Sequence, residues 1–576
     1  MRFVLAIISF VVAALALGFG VAERTVLAGP NHVTATVTSS AAAPVVVIDG
    51  SALNAYANTQ TVALSGSSTT FAAYGRTSDI MAWIGDTEYN HVRFSRAGKL
   101  QSIHHTGAAT TVPSPSGSDL WLAQYTGTEA TNFKIKIPAN MSVIVVSNGT
   151  LPAPSTVALT WPLDNSTPWS GPLILVGAIA LLLGLILLLW AFTHLRRTRG
   201  PRRSPMPKLP RQPRYKPKRR ELTSSKGRRA VRRVAIAAPS LLVTGLVLAG
   251  CVAAPAPQVE TTSTPSGLTS GTKAPRPAVT PAQLQIIVDH LASTVSLADS
   301  TLNPTLITSR MEGAALADRL ANYIIRKRNP KLAASISIPS NVELTVPVAR
   351  DAWPHTVFTV VQNKAQPTIA PVALMLVQNS PRENYKIDYA ISLQPKVVLP
   401  DLAPASVGAS RLPAEIGLLK LQPSAIALAY GDILDKDTAS TSYADFDPIG
   451  DTFRQQVGLA SKKALQKKLP ATAKLTFSNE NGTGQVIPIS TNNSGAIVAV
   501  DLNEVETVRP VQAGAAVSTT GGTAALSGKS TSTKGIVATY GDQLLFYVPK
   551  AGSSGKIELL GYTQGLVSAV EYKKAK

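Results

Sequence analysis

Residues 171–220 read GPLILVGAIALLLGLILLLWAFTHLRRTRGPRRSPMPKLPRQPRYKPKRR, and the change of character halfway along governs how the rest of the chain is read. Gly171 to Thr193 carries no charge, and Trp169 and Trp190 lie near its two ends, where indole rings favour a membrane interface. At about 1.5 Å per residue it makes a helix of roughly 35 Å, enough to cross a bilayer's hydrocarbon. Residues 195–233 then hold 17 Lys and Arg against the single acid Glu221, which is +16 of the chain's net +22. A short cationic loop beside an apolar helix is the positive-inside signal, so residues 194–233 read as a basic cytoplasmic loop with the flanking regions on the other side. Its prolines forbid a helix and leave an extended tether suited to anionic lipid headgroups. Tyr215, its one aromatic residue, gives no stacking platform, and nucleic acid is excluded as a partner.

Two further apolar stretches complete the membrane pattern. Phe3 to Ala22 is uncharged and follows Arg2, so residues 1–23 read as a transmembrane helix or signal anchor; small residues at Gly20-Val21-Ala22 and Val26-Leu27-Ala28 leave cleavage open. Val234 to Ala254, which contains Pro239, reads as a transmembrane helix or an internal lipoprotein signal. The second option comes from Cys251, the only cysteine in the 576 residues, which directly follows Leu248-Ala249-Gly250. This run resembles a bacterial lipobox. Arg228, Arg229, Arg232 and Arg233 stand before it as a basic region and Val234 to Val247 as an apolar one, and the resemblance implies cleavage before Cys251 and a lipid on its sulfur. A composition of 45% hydrophobic residues with one cysteine excludes both a disordered chain and a disulfide scaffold.

Residues 24–170 show short strand-like runs punctuated by Gly, Asn, Ser and Pro, among them APVVVIDG, DIMAWIG and NFKIKIP. Phe133, Ile135 and Ile137 alternate with polar neighbours, the period of a half-buried antiparallel strand, and an all-β sandwich is expected. Residues 255–279 are Pro, Ser, Thr and Gly with few apolar side chains, the composition of a flexible linker. Thr280-Pro281-Ala282-Gln283 has the form of a capping box, and Leu284, Ile287, Val288, Leu291 and Val295 follow at helical spacing. A helix over 309–328 and several strand-like runs come next. The pattern repeats with helices over 424–434 and 447–469, the latter placing Ile449, Phe453, Val457, Ala460 and Ala464 on one stripe, and more strands after them. Two tandem α+β units are expected, 280–410 and 411–576, each with helices on a curved antiparallel sheet. This order resembles the NTF2-like or cystatin-like units of secreted bacterial proteins, and the chain as a whole is similar to actinobacterial membrane or lipoprotein domains of unknown function.

Motifs that would announce chemistry fail on spacing. GTAALSGKS at 522–530 departs from a phosphate loop, because Gly522 lies six residues before Gly528. Asp432, Asp435, Asp437, Asp445, Asp447 and Asp451 crowd one segment without the glycine and distal glutamate of a calcium loop, and Asp447 before Pro448 reads as a helix cap. His91, His104 and His105 read as surface histidines, since neighbours on a strand face opposite ways; Trp83, Tyr89 and Trp121 read as core residues. No catalytic, cofactor-binding or metal-binding residue is assigned and no cofactor is expected, leaving Cys251 with Leu248, Ala249 and Gly250 as the one site. The sequence therefore reads as a multi-pass plasma-membrane protein with both large domains extracytoplasmic. The expected function is non-catalytic, as an envelope scaffold or binding protein whose partners are membrane lipids and envelope proteins or glycans. The alternative is a carbohydrate-binding or enzymatic accessory subunit acting on envelope polymers, which a cavity lined by a carboxylate pair, or by His290 or His355 with an acid, would favour.

Overall fold

The computed structural model describes residues 1–95, 98–198 and 275–573, so the basic loop, the third apolar segment, most of the linker and the Leu248–Cys251 motif lie outside the described residues. In chain order the first elements are α1 (Arg2–Thr25), β1 (His32–Thr38), β2 (Val45–Ile48), α2 (Gly50–Leu53), β3 (Gln60–Arg76), α3 (Thr77–Ile84), β4 (Tyr89–Phe94), β5 (Leu100–His105), β6 (Ala123–Ile135), β7 (Met141–Val146), β8 (Thr156–Pro162) and α4 (Ser170–Thr198). Next come α5 (Pro281–Thr301), α6 (Pro304–Thr308), α7 (Gly313–Arg328), β9 (Val342–Pro347), β10 (His355–Val361), β11 (Val372–Gln378) and β12 (Lys386–Leu393). The last are α8 (Ile426–Lys436), α9 (Thr452–Val457), α10 (Leu459–Lys468), β13 (Ala473–Asn481), β14 (Ile487–Ser490), β15 (Ala496–Pro510), β16 (Val517–Ser518), α11 (Gly521–Ser527), β17 (Thr531–Ser532), β18 (Ile536–Val548) and β19 (Glu558–Glu571). They form two compact bodies, one holding α1 and α4 and the other everything described within 29–165 and 275–573.

The first body is an antiparallel helix pair, and each helix is long and apolar enough to cross a membrane. Small residues make the close approach possible. Ala6, Ala13 and Gly20 recur every seven residues on α1, Gly177, Gly184 and Ala191 do so on α4, and all six are buried between the helices. A Cβ added at Gly177 would lie 2.7 Å from Leu17 Cγ, and one at Gly184 3.2 Å from the Phe10 ring. Ser9 Oγ donates to the Ala180 carbonyl at 2.6 Å, and the rings of Phe3 and Phe192 meet edge to face at 5.8 Å. This is how helices associate when their outer faces gain nothing from leaving an apolar medium, and those faces, with Leu15, Phe19, Leu182 and Leu189, are exposed and apolar.

In the second body, residues 29–165 form one eight-stranded sheet in the order β1-β8-β3-β7-β2-β4-β5, with β6 on β3. The expected sandwich of antiparallel strands is corrected on three counts. β2 and β4 run parallel, and the edges β1 and β5 approach each other, with Ser39 Oγ 2.9 Å from Ser102 Oγ beside them. The sheet thus curls around a core that includes Val46, Ile48, Val62, Phe133, Val145 and Trp161. DIMAWIG falls largely in α3, because Ile80, Trp83 and Ile84 recur at i, i+3 and i+4 and bury one helical face.

Residues 275–573 form an α+β region. Thr280 Oγ1 accepts from Gln283 N at 3.2 Å and caps α5 as its spacing implies. The two expected units are joined: one nine-stranded sheet runs β13-β15-β18-β19-β12-β11-β10-β9, with β14 on β15, through a two-residue pairing of β12 with β19. One shared core, including Phe358, Met375, Ile391, Ile497, Ala499 and Leu545, draws on strands of both halves. Separate cores lie beneath α5–α7 and beneath α8 and α9. The expected 447–469 helix is broken at Gly458 and starts only at Thr452; Asp451, rather than Asp447, caps it by accepting from Arg454 N at 2.9 Å. Ile449, assigned to the buried stripe, lies outside the helix and is 86% exposed.

The curled sheet and the α+β region meet across a seam centred on Asp119, whose side chain is fully buried. Asp119 Oδ2 accepts from Arg310 Nη1 at 2.6 Å and from Tyr385 N at 2.9 Å, its amide donates to Asn384 Oδ1 at 2.9 Å, and its carbonyl accepts from Gln283 Nε2 at 3.0 Å. Nearby, Arg382 donates from Nε to the Trp83 carbonyl and from Nη2 to that of Ile84, both at 2.9 Å. Trp353 packs against the cluster of Trp83 and Trp121.

The helix pair generates a direct test. In a Cys251→Ala background, cysteines replacing Phe3 and Phe192 should crosslink under mild oxidation, and adding Gly177→Leu should abolish the crosslink by wedging α1 from α4. A mature chain that had lost α1 as a signal peptide would give none.

Candidate functional site

The face of β15 beneath α8 and α9 changes character along the strand. Val498, Val500 and Leu502 belong to the core under those helices, and at the same period of two the next residues are Glu504 and Glu506. The neighbouring strand follows suit. Leu544, Phe546 and Val548 of β18 are core residues, while Asp542 and Tyr540, in register with Leu502 and Glu504, are not apolar. Gln564 of β19 lies opposite Asp542, and Asn479 and Phe477 of β13 lie opposite Glu504 and Glu506. The helices cover the apolar end and leave the polar end as the floor of a trough.

A cavity of about 200 Å³ stands over this floor, lined by Lys462, Phe477, Glu504, Glu506, Tyr540 and Gln564 among others. It shares Glu506 with a second cavity of about 210 Å³ bordered by Thr519, Thr520 and Thr523, and Gln564 with a third of about 260 Å³ bordered by Asp318 and Asn322. Gly565 lines the third, where any side chain would collide with the Asp318 carboxylate. Lys462 of α10 is 4% exposed and is held by Glu504 Oε1 at 2.6 Å and Asp435 Oδ1 at 2.5 Å, with its ammonium 5.2 Å from the Phe477 ring centroid. Asp542 is fully buried beneath; its Oδ1 accepts from Gln564 Nε2 at 2.9 Å, and its Oδ2 has no hydrogen-bond partner among the described residues.

One ammonium therefore stands among four carboxyl groups, and burial acts on the ionisation of Asp542, Glu504 and Glu506. Burial, reinforced by the charge of Glu504, holds the Asp542 carboxyl well above the usual carboxylate range. Burial raises Glu504 in spite of Lys462, and burial and then Glu504 raise Glu506. Tyr540 is pushed up to about 12, by burial first and then by Glu506 and Glu504. Burial also raises Asp318 in the third cavity. The trough thus offers carboxyls shifted toward their protonated form, amides and hydroxyls, groups that can donate and accept.

The candidates singled out in the sequence lie elsewhere. Leu248, Ala249, Gly250 and Cys251 fall outside the described residues. Trp83 and Trp121 are buried with ring centroids 5.8 Å apart, while Tyr89 stacks on His105 at 4.6 Å on the sheet surface. His91 sits 3.5 Å from Asp49, and His104 Nδ1 3.2 Å from Asn90 Oδ1. Among the described residues, no group of three or more His, Cys, Asp or Glu is placed to hold a metal ion. His290 Nδ1 lies 3.6 Å from Asp119 Oδ1 at the seam. His355 is buried against Trp353 at 4.1 Å and is lowered to about 4 by burial and by Arg76 and Arg350, so it is neutral at physiological pH. The aspartate-rich segment is engaged within the fold: Asp432 with Lys436, Asp435 with Lys462, Asp437 with Arg454, Asp445 with Lys420, and Asp451 with the Tyr430 hydroxyl. GTAALSGKS contributes α11 and its C-terminal turn at Gly528. What sequence reasoning missed is the trough, although its signal was present: continuing the alternation of 498–502 past Leu502 sets Glu504 and Glu506 on the buried face.

By its elements the second body is a β-rich region joined to an α+β region that carries the trough. The α+β region matches, over residues 275–571, the family described as Domain of unknown function (DUF8094), and the chain belongs to that family. The match holds the whole trough and one side of the seam. No curated protein and no solved structure matches the chain.

The raised carboxyl of Asp542 makes a pH test. In the folded protein it stays protonated at pH values where an unfolded aspartate, with its ordinary value near 3.8, is ionised, so folding takes up a proton there. Its contribution is fully present below about pH 4 and is lost as pH rises toward the folded value. Asp542→Asn, which mimics the neutral form, should flatten the fall in stability as pH rises above about 4 by up to roughly 1.4 kcal/mol per pH unit, the limit for one proton. Parallel melting-temperature profiles would place a charged carboxylate there instead.

Proposed function

We propose that the chain is a membrane-held, extracytoplasmic binding protein whose trough takes a hydroxyl-rich ligand of the carbohydrate type. The observation that carries this reading is the open face of the trough: the Glu506 carboxyl and the Tyr540 hydroxyl line the cavity and make no hydrogen bond within the described chain, beside the ring of Phe477. Sugars present paired hydroxyls, which carboxyl and amide groups bind from both sides, and a C–H face that lies on aromatic rings. The three adjoining cavities suit several sugar units better than one small molecule. The carboxylate pair Glu504 and Glu506 moves the reading from pure scaffolding toward glycan recognition. The chemistry assigned here is binding.

The membrane arrangement follows from counting crossings. Residues 29–165 and 275–573 belong to one body, which supports a reading in which they lie on one side of the membrane. If α4 crosses, the chain has to return between residues 199 and 274, and there Val234 to Ala254 is the uncharged stretch of sufficient length. Either a third helix or lipidation at Cys251 satisfies that requirement, and the +16 loop sets the cytoplasmic side.

Two measurements test the proposal. In a Cys251→Ala background, cysteines at Thr128 and Lys468, both exposed, should react with an impermeant thiol reagent on intact cells, and one at Ser204 should not; the reverse pattern would overturn the topology. Saturation-transfer NMR of the detergent-extracted chain against soluble oligosaccharides from envelope polymers should detect binding. Glu506→Ala should weaken it about tenfold, as for one lost hydrogen bond to a buried partner. No binding by the wild type, or equal binding by Glu506→Ala, would remove the carbohydrate reading.

A further inference from the structure

We infer that residues 29–165 and 275–573 are mutual binding partners in their own right, so that a chain severed between them remains one particle. The seam has the composition of an interface between separate proteins. Nine hydrogen bonds cross it among the described residues: four on Asp119, three from Arg382 to Trp83, Ile84 and Thr87, one from Asn384 Nδ2 to the Gly117 carbonyl, and one from Arg76 to the Pro277 carbonyl. A typical specific protein–protein interface carries about ten.

Its anatomy matches as well as its count. The centre is a desolvated Arg–carboxylate pair, Arg310 with Asp119, whose side chains are 9% and 0% exposed. Beside it is an aromatic anchor, with Trp353 against the Trp83–Trp121 cluster and the Arg382 guanidinium 5.7 Å from the Trp83 ring centroid. Buried arginine and tryptophan at the centre are what hot spots of stable complexes are made of. Each side also keeps a core of its own: the curled sheet closes on Val46, Val145 and Trp161, and the α+β region on three clusters of its own residues. Neither core borrows its strands from the other side, so the covalent link supplies proximity and the seam supplies the binding. Cleavage before Cys251 would then yield a two-chain complex in which the N-terminal piece receives a lipid-bearing α+β partner.

The test is independent of lipidation and of the trough. A site-specific protease sequence placed between Gly267 and Leu268 of the full chain lets the purified protein be cut on the C-terminal side of every apolar stretch, so the released piece has no anchor of its own. Affinity capture through an N-terminal tag should retain the cut α+β piece after dilution well below micromolar concentration. Arg382→Ala with Asn384→Ala, both on the turn before β12, should weaken retention at least about tenfold. The circular dichroism and melting of the released piece would confirm that these two changes leave it folded. Release of the wild-type piece on cutting would overturn the inference, as would retention by the folded double variant equal to that of wild type.

Discussion

The second body depends on one carboxylate. Asp119 sits in a turn of the curled sheet, and through its side chain, its amide and its carbonyl it engages Gln283, Arg310, Asn384 and Tyr385. A carboxylate with no exposed surface depends on a matched charge: Arg310 and the Tyr385 amide bond Oδ2, while Oδ1 has only the His290 ring at 3.6 Å, and removing one member of such a pair typically costs about 3–5 kcal/mol. Because the partners lie beyond α4 and the whole of 199–274, this ion pair joins parts of the chain that the sequence separates by its most apolar and its most basic segments. The body closes only where the stretches on either side of those segments meet.

The joined sheet is the second constraint. β10 and β11 are buried along their whole length because they face helices on one side and the shared core on the other, which explains their near-continuous apolar sequences. β15, β18 and β19 run 13 to 15 residues, longer than their helices can cover. The excess length is where the trough lies. Had α8 and α10 been longer, or β15 shorter, Glu504 and Glu506 would have had no floor to stand on.

How far this architecture is legible in the sequence depends on whether a feature is local. The Thr280 cap and the stripe from Leu284 to Val295 are set by residues a few positions apart, and they appear in the structure where the spacing puts them. α3 was misread because a seven-residue window with Ile80, Trp83 and Ile84 satisfies strand and helix alike, and its length gives periodicity too little to work on. The helix over 447–469 was overextended because Ile449 continues the stripe arithmetically, whereas Pro448 and the Asp451 cap stop the backbone from following it. Pairings such as β2 with β4, the joining of β12 to β19, and the meeting of Asp119 with Arg310 bring together residues tens to hundreds of positions apart. A single aspartate in the loop SPSGSD carries no local mark of its partner. The small residues at sevenfold spacing on α1 and α4 lay in view, and their meaning emerges only once the two helices are known to be each other's partners.

The trough remains the least economical part of the fold, and that bears on its use. Replacing Glu504, Glu506 and Asp542 with valine or leucine would extend the core that already ends at Leu502 and Leu544, a gain of roughly 1.5–3 kcal/mol for each fully buried side chain. The chain instead buries Glu504 and Asp542 with one ammonium, half-buries Glu506, and leaves Asp542 Oδ2 without a hydrogen-bond partner among the described residues in a position closed to solvent. Buried ion pairs are seldom a route to stability when an apolar packing of the same shape is available. A structural role would be served by Lys462 and Glu504 alone, since that pair already ties α10 to the sheet. Glu506 and Tyr540 add nothing to that tie and line the cavity instead, which is the placement that the proposed ligand would account for.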